Sequence, residues 1–334
     1  MAAKSWKEWE KPLIDLEEGI AKLKELAGTE REESKRKDLA DRIKEFEARR
    51  DNYIAVMYSR LGPWEKVLVA RAEKRPYTLD YIHTIFTNFI ELDGDRCFGA
   101  DHAIVGGPAM LDGRPCMVVG HQKGRNIQER QFRNFGMAKP EGYRKAIRLF
   151  QMADRFRLPI VTFVDTPAAD PGVESESRGI SEAIAASMVA MFQVGVPTVS
   201  VVIGEGGSGG AIGIATSNRV LMQEHAIYSV IPPEGCAAIL WRLPEKGPQA
   251  AAALKLTAQS ALEMGLIDEI LPEPRGGAHR DLPESSTIVK EGIVRHLAEL
   301  ETLDADALRN HRYDKFRAMG IYRAEDGVTP TLFR

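Results

Sequence analysis

The sequence predicts an α/β fold built on a largely parallel sheet, and three observations predict it. Short apolar runs, "IVTFVD" (160–165) and "VPTVSVVI" (196–203), have the look of strands buried on both faces. Helical patterns lie around them: Ala146, Leu149, Phe150, Ala153 and Phe156 form one apolar face of a helix opened by Pro140 and Glu141, and Ile180, Ile184, Met188 and Met191 form another. A glycine-rich stretch, "VIGEGGSGGAIG" (202–213), follows the second strand at once, where a parallel fold turns from strand to helix and places its ligands.

The remaining elements are read in chain order. Residues 5 to 60 are charge-dense, with Leu16, Ile20 and Leu23 at helical spacing and Leu39, Ile43 and Phe46 repeating it. Two amphipathic helices joined by the polar "AGTEREESKRK" are expected there, packed against their own domain or a second subunit. "AIVGGPAML" and "PCMVVGHQ" flank Asp112-Gly113-Arg114, which predicts a hairpin because Asp-Gly suits the positive φ of a type I′ turn. Beyond the glycine loop, "GAIGIATS" is a very short helix and Val220 to Met222 lie in a strand. The chain looks helical from about 233 to 264, "LIDEILPEP" closes the core, and two helices (about 286–302 and 304–319) end the pattern. The division expected is a helical arm (1–75), an α/β core (76–275) and a C-terminal helical segment (276–334).

Composition excludes several classes. A chain of 334 residues with 44% hydrophobic residues holds one large domain or two ordinary ones. A net charge of -3 argues against a dedicated nucleic-acid binder. Cys97, Cys116 and Cys236 are too scattered for a zinc ribbon or a disulfide framework, so no metal site is expected. The start "MAAKSWKEWEKPLIDLEEG" has no apolar leader and no stretch has membrane-span length, so a cytoplasmic protein is expected.

The glycine loop admits three chemistries. Gly204, Gly206 and Gly209 spell the dinucleotide pattern G-x-G-x-x-G; that reading needs a full helix and an acid such as Glu224, and the segment from Gly209 to Arg219 is short for it. Gly206, Ser208 and Gly210 spell the serine elbow G-x-S-x-G; it needs an acid and then a histidine, an order that Asp268 with His279 or His296 satisfies. The third reading needs no side chain. Backbone N–H groups at a helix start hold an oxyanion, each donor worth about 3 to 4 kcal/mol in a transition state, and glycine lets the oxygen come close. "VDTPAADPG" (164–172), after the other buried strand, is a second junction of the same kind.

Beyond single motifs there is an ordered series: "RPYTLDY" (75–81), "AIVGG" (103–107), "LDGRP" (111–115), "GHQKGR" (120–125), "RNFGM" (133–137), "PEGYRKA" (140–146), "VIGEGGSGGA" (202–211), "PEGCA" (233–237) and "GGAHR" (276–280). Together they resemble the alpha subunit of bacterial-type acetyl-coenzyme A carboxylase carboxyltransferase over nearly the whole chain. The resemblance implies a crotonase-like (ClpP/crotonase) spiral of ββα units. It also implies a beta subunit of related fold that carries a zinc ribbon, a biotin carboxyl carrier protein and biotin carboxylase in the larger complex, and an α2β2 assembly. The implied reaction moves a carboxyl group from carboxybiotin on the carrier to acetyl-CoA, giving malonyl-CoA for fatty acid synthesis, with no cofactor held covalently by this chain.

In that frame Gly209 and Gly210 are the implied donors to the biotin ureido oxygen, and the thioester oxygen falls to the beta subunit. The departing biotin nitrogen takes the acetyl proton, so no side-chain base is demanded and Ser208 reads as a turn residue. Ala168, Gly172 and Gly207 are candidate substrate contacts on the two junctions. The basic stretch 122–145 supplies Lys123 and Arg125 as candidates for coenzyme A phosphates or the biotin carboxylate, against the alternative of a solvated loop. One loop departs from the family pattern: Ala168 stands for glycine, Asp170 for an aromatic, Glu174 for glycine and Ile180 for glutamine. An alanine at 168 is strained if that position needs positive φ. Two other functions stay open: a catalytically silent scaffold for a beta-like subunit, and a serine hydrolase using Ser208.

Overall fold

The computed structural model describes residues 6–320, and its charge-dense start folds as the helical hairpin that the periodicity predicts. Helices α1 (Trp6–Thr29) and α2 (Glu33–Tyr58) pack on each other through half-buried apolar stripes, with Lys24 bridging to Glu47 at 2.7 Å. Only the end nearest the core is fully buried: Leu13, Ile20 and Ile54 are at most 5% exposed. There Glu10 accepts hydrogen bonds from Tyr58 Oη (2.7 Å) and Arg280 Nη2 (2.5 Å), which pins the hairpin to the segment after the core. Two short helices follow, α3 (Pro63–Ala70) and α4 (Thr78–Ile85). Val67 and Ala70 of α3 pack with Ile227, Ala251 and Leu256, so this part of the first 75 residues belongs physically with the core.

The hairpin forms as expected: β1 (Ile104–Leu111) and β2 (Arg114–His121) pair antiparallel, with Asp112 (φ 50) and Gly113 (φ 76) both at positive φ. Then come α5 (Ile127–Phe132), α6 (Pro140–Phe156), β3 (Ile160–Thr166), α7 (Val173–Ser177), α8 (Ile180–Gln193), β4 (Thr198–Gly207), α9 (Ser208–Ile212), β5 (Arg219–Gln223) and β6 (Ile227–Ser229). From β2 onward every pairing is parallel, in the order β1-β2-β3-β4-β5-β7, with β6 added on β4 and β7 (Glu269–Leu271) on the edge. The run expected to be helical from 233 to 264 is three helices, α10 (Pro233–Trp241), α11 (Gly247–Leu254) and α12 (Ala258–Glu263). It breaks at Arg242 and Lys255, both at positive φ, and Pro244 cannot donate the bond that continuation needs. The closing helices are α13 (Leu282–Leu300) and α14 (Ala305–Arg317); residues 321–334 of the expected C-terminal segment, and 1–5 of the arm, lie outside the described residues.

The sheet is buried on both faces, as its uninterrupted apolar strands require. One face packs against α6 and α8 through Tyr143, Leu149, Phe150, Ile180 and Met191; the other packs against α4, α13 and α14 through Tyr81, Ile82, Val289 and Leu308. Phe156, placed by periodicity on the buried face of α6, is instead 65% exposed: it is the last helical residue before Arg157 turns left-handed. A fully buried ion pair joins the start of the core to its end, Arg75 Nη2 to Glu273 Oε1 at 2.7 Å.

Burial alone would raise the Glu273 pKa, but the Arg75 charge and the Ala278 N–H hold it down at about 2, against an ordinary 4.5. A depressed carboxylate stabilises the fold above its unfolded pKa and loses that contribution as pH falls toward its folded one. Acid unfolding is therefore expected to steepen between about pH 4.5 and 2, and Glu273→Gln, followed by circular dichroism across that range, should flatten the slope while lowering stability at pH 7 by about 3 kcal/mol.

Candidate active site

The two junctions named by the sequence lie side by side at the carboxyl ends of β3 and β4. Strand β4 runs fully buried into Gly207, and the chain then turns sharply at Ser208 (φ 53) into the single turn of α9. The first-turn N–H groups of such a helix have no intrahelical acceptor, which leaves those of Gly209 and Gly210 open to another oxygen. From behind, Tyr143 Oη donates to the Gly210 carbonyl at 3.3 Å.

The glycines are not equivalent. A Cβ at Gly207 would lie 1.9 Å from the Pro167 oxygen, and one at Gly210 would lie 2.6 Å from the Ala168 carbonyl carbon and the Ala169 nitrogen. Both positions are glycine so that the two junctions can touch backbone to backbone. At Gly209 the nearest atom would be Ile184 Cδ1 at 3.4 Å, an ordinary contact, and φ there is not positive. Packing thus explains Gly207 and Gly210 and leaves Gly209 unexplained. Beside Gly209 opens a cavity of about 390 Å³, walled by Met188, Ile212, Tyr228, Val230, Leu266 and Phe316.

The altered first junction is well formed. Ala168 has no positive φ, so its methyl group carries no backbone strain, and Thr166 Oγ1 donates to its carbonyl at 2.6 Å. Asp170 accepts from Asn134 Nδ2 (3.1 Å) and Ser175 Oγ (2.5 Å), and its own N–H donates to the Ala138 carbonyl (3.0 Å). Its carboxylate therefore ties the loop down instead of facing solvent. Gly172 is the N-cap of α7, Glu174 is an exposed partner of Arg178 at 3.7 Å, and Ile180 is buried in the core.

Lys123 and Arg125 both have internal partners. Lys123 Nζ lies 2.7 Å from Asp165 Oδ1 and 2.8 Å from Glu205 Oε2. Arg125 bonds Asp80 and the carbonyls of Glu73 (3.1 Å) and Arg75 (3.0 Å), with its guanidinium 4.2 Å over the Tyr77 ring. A smaller polar cavity of about 180 Å³ lies above this network, lined by Tyr77, Lys123, Arg130, Phe135, Pro167 and Glu205. Asp165, Glu205 and Arg71 went unnoticed in the sequence; an acid ending each of two adjacent buried strands was the available signal.

The rival readings of the loop fail on geometry. Positive φ at Ser208 is the serine-elbow conformation, yet no histidine lines the adjoining cavity. His279 lies 3.6 Å from Glu10, His296 lies 2.7 Å from Glu269, and Asp268 pairs with Lys315. His121, fully buried beside the Gly210 backbone, is held neutral because burial pushes its pKa down to about 3. For a dinucleotide the helix is too short, at five residues.

Strand pairing, the ββα start and the paired junctions define a crotonase-like fold. Solved structures share it: a chain of the transcarboxylase 12S hexamer with methylmalonyl-coenzyme A and methylmalonic acid bound has a TM-score of 0.56 at 20% identity, covering 70% of this chain and 44% of that one. A chain of a Pseudomonas malonate decarboxylase hetero-tetramer in complex with coenzyme A has a TM-score of 0.52 at 20% identity, covering 63% and 84%. The family model described as acetyl co-enzyme A carboxylase carboxyltransferase-like matches residues 6–320. The chain is 53% identical to the acetyl-coenzyme A carboxylase carboxyl transferase subunit alpha of Geobacter metallireducens (96% of this chain, 99% of that one) and 50% identical to that of Thermus thermophilus (94% and 98%). It belongs to the acetyl-CoA carboxylase carboxyltransferase alpha-subunit family. Its activity is carboxyl transfer to acetyl-CoA, which gives malonyl-CoA for fatty acid biosynthesis. Among the described residues no helix is long and apolar enough to cross a membrane.

The contrast between the glycines is open to measurement. Gly209→Ala should leave stability within about 0.5 kcal/mol of the parent, whereas Gly210→Ala should cost about 2 to 3 kcal/mol by overpacking the Ala168–Ala169 backbone. Equal losses in urea denaturation would contradict the geometry.

Proposed function

We propose that Gly209 and Gly210 donate their N–H groups to the ureido oxygen of carboxybiotin while the carboxyl group leaves for acetyl-CoA. The observation that carries this reading is that Gly209 is a glycine the packing does not need, at the mouth of the apolar cavity. As the N–CO2 bond breaks, negative charge grows on the ureido oxygen, and donors fixed beforehand stabilise it at no cost of reorganisation. The cavity walled by Met188, Ile212 and Phe316 would take the apolar body of biotin. Its lining holds no carboxylate and no histidine, which supports a route in which the proton of the acetyl group passes to the departing biotin nitrogen.

Ala168, Gly172 and Gly207 then border the substrate path through backbone groups. Lys123 and Arg125 act on substrate through the wall they build, since their charges are matched internally. The acetyl thioester and its enolate oxygen belong to a beta subunit that carries the zinc ribbon, in an α2β2 assembly served by the biotin carboxyl carrier protein and biotin carboxylase in the cytoplasm. The helical arm (1–75), the core (76–275) and the C-terminal segment (276–334) are the functional parts of this reading, the α1–α2 hairpin of the arm being the attachment surface and α3 part of the core's packing.

The test is malonyl-CoA-dependent carboxylation of free biotin, assayed with this chain alone and with its beta subunit. Activity is expected only in the mixture. Gly209→Val should lower the rate at least about 100-fold, the loss typical of an oxyanion donor, without preventing assembly; Ser208→Ala should stay within about tenfold, whereas a serine nucleophile would lose nearly everything. A mixture that assembles and does nothing would favour the silent scaffold.

A further inference from the structure

The reading of Gly209 and Gly210 as oxyanion donors leaves open what aims them, and the following rests on it. The β3–β4 ladder breaks just before the loop: Val164 pairs with Val202, but Thr166, two residues on, pairs with Gly206, four residues on. Such a bulge bends its strand and leaves ladder groups without backbone partners. Asp165 takes over that duty, its Oδ1 accepting the Glu205 N–H at 2.9 Å. Gly204 makes room for it, because a Cβ there would lie 2.4 Å from the same oxygen.

A carboxylate so deeply buried, with its side chain 3% exposed, needs a counter-charge. Lys123 supplies it from the end of β2, reaching Asp165 Oδ1 at 2.7 Å and Glu205 Oε2 at 2.8 Å. Arg71, just after α3, closes the other Glu205 oxygen at 2.7 Å and reaches Glu234 of α10 at 2.5 Å. The ends of three parallel strands are thus cross-linked by charge immediately beneath both junctions. None of Lys123, Asp165 and Glu205 lines the cavity beside Gly209, so they reach that cavity only through the backbone, although Lys123 and Glu205 do border the smaller polar cavity.

We propose that Asp165, Lys123 and Glu205 are positioning residues, which fix the bulge in β4 and thereby hold the N–H groups of Gly209 and Gly210 on the developing oxyanion. The charges act on orientation. A displacement of about 1 Å in such donors is enough to cost about 100-fold in rate.

The experiment uses the enzyme assembled with its beta subunit and the biotin carboxylation assay, with kcat and KM for malonyl-CoA measured separately and assembly and melting temperature followed in parallel. Asp165→Asn keeps an acceptor for the Glu205 N–H and removes the charge that Lys123 answers; Glu205→Gln is the second probe should the first fail to fold. Each is expected to lower kcat about 10- to 100-fold while KM for malonyl-CoA moves by no more than about twofold, and Lys123→Arg should recover much of the rate lost in Lys123→Met. A Lys123→Met variant with raised KM and unchanged kcat would make Lys123 a coenzyme A contact and overturn the proposal. Losses of rate that only track lost tetramer would reduce the cluster to a fold determinant, and parental kcat in both acid variants would remove it from the reaction. Gly209→Val run alongside separates the two levels: if it abolishes activity while the acid variants do not, only the positioning role falls; if it is active, the reading of the loop falls first.

Discussion

The contact between the backbone at 207–210 and the backbone at 167–169 is the constraint on which the site depends. No side chain fits between them at Gly207 or Gly210, so the two strand ends can approach only as bare peptide. That closeness turns two separate strand-to-helix junctions into one rigid surface and leaves the Gly209 side of it open. The unusual loop fits this contact without backbone strain. At 168 the backbone, with ordinary φ, makes the contact with Gly210, so an alanine there keeps the surface intact; Asp170 anchors itself to Asn134 and Ser175.

Buried charge is concentrated where remote segments meet. Arg75 with Glu273 joins the two ends of the core, Glu10 with Arg280 joins the arm to the segment after it, and Lys123 with Asp165 and Glu205 joins three strand ends. Desolvation offsets most of the Coulomb gain in such pairs, so their net contribution to stability is smaller than their geometry suggests. Apolar side chains of similar volume would hold these seams without holding their register. A slipped strand end would leave a bare charge in the interior, and that penalty makes one arrangement distinct from its neighbours.

Much of this was legible in the sequence for physical reasons. Buried parallel strands announce themselves as unbroken apolar runs, Asp112-Gly113 encodes its own turn, and the run of glycines at 204–210 marks a backbone that something approaches closely. The ordered motifs supplied the family and, with it, the spiral fold. Other features were hidden because their cause lies far along the chain. Lys123 read as a free cation because its partners are 42 and 82 residues away, positions that only the folded sheet brings together. The three-residue β6 carries too little pattern to be seen, and Phe156 follows its helical period faithfully yet ends its helix exposed. Ser208 is the instructive intermediate: the elbow geometry that its motif encodes is present, while the histidine that would give it chemistry is not at hand.

The character of the cavity beside Gly209 narrows the mechanism further. Its walls are mostly apolar, its tyrosine, Tyr228, is pushed up by burial to a pKa of about 12, and none of its lining residues changes charge near neutrality. General acid–base catalysis by this chain would need such a group within hydrogen-bond reach of the reacting atoms. What the surface offers is fixed dipoles beside mostly apolar walls, where each donor acts more strongly than in open water and an ionised side chain would be costly to keep. A site of this kind suits a reaction whose proton acceptor is generated by the reaction itself, and the nitrogen freed when biotin gives up its carboxyl group is such an acceptor. On the proposed reading, precision in the backbone takes the place of a catalytic side chain, and the buried charges beneath the junctions would be its source.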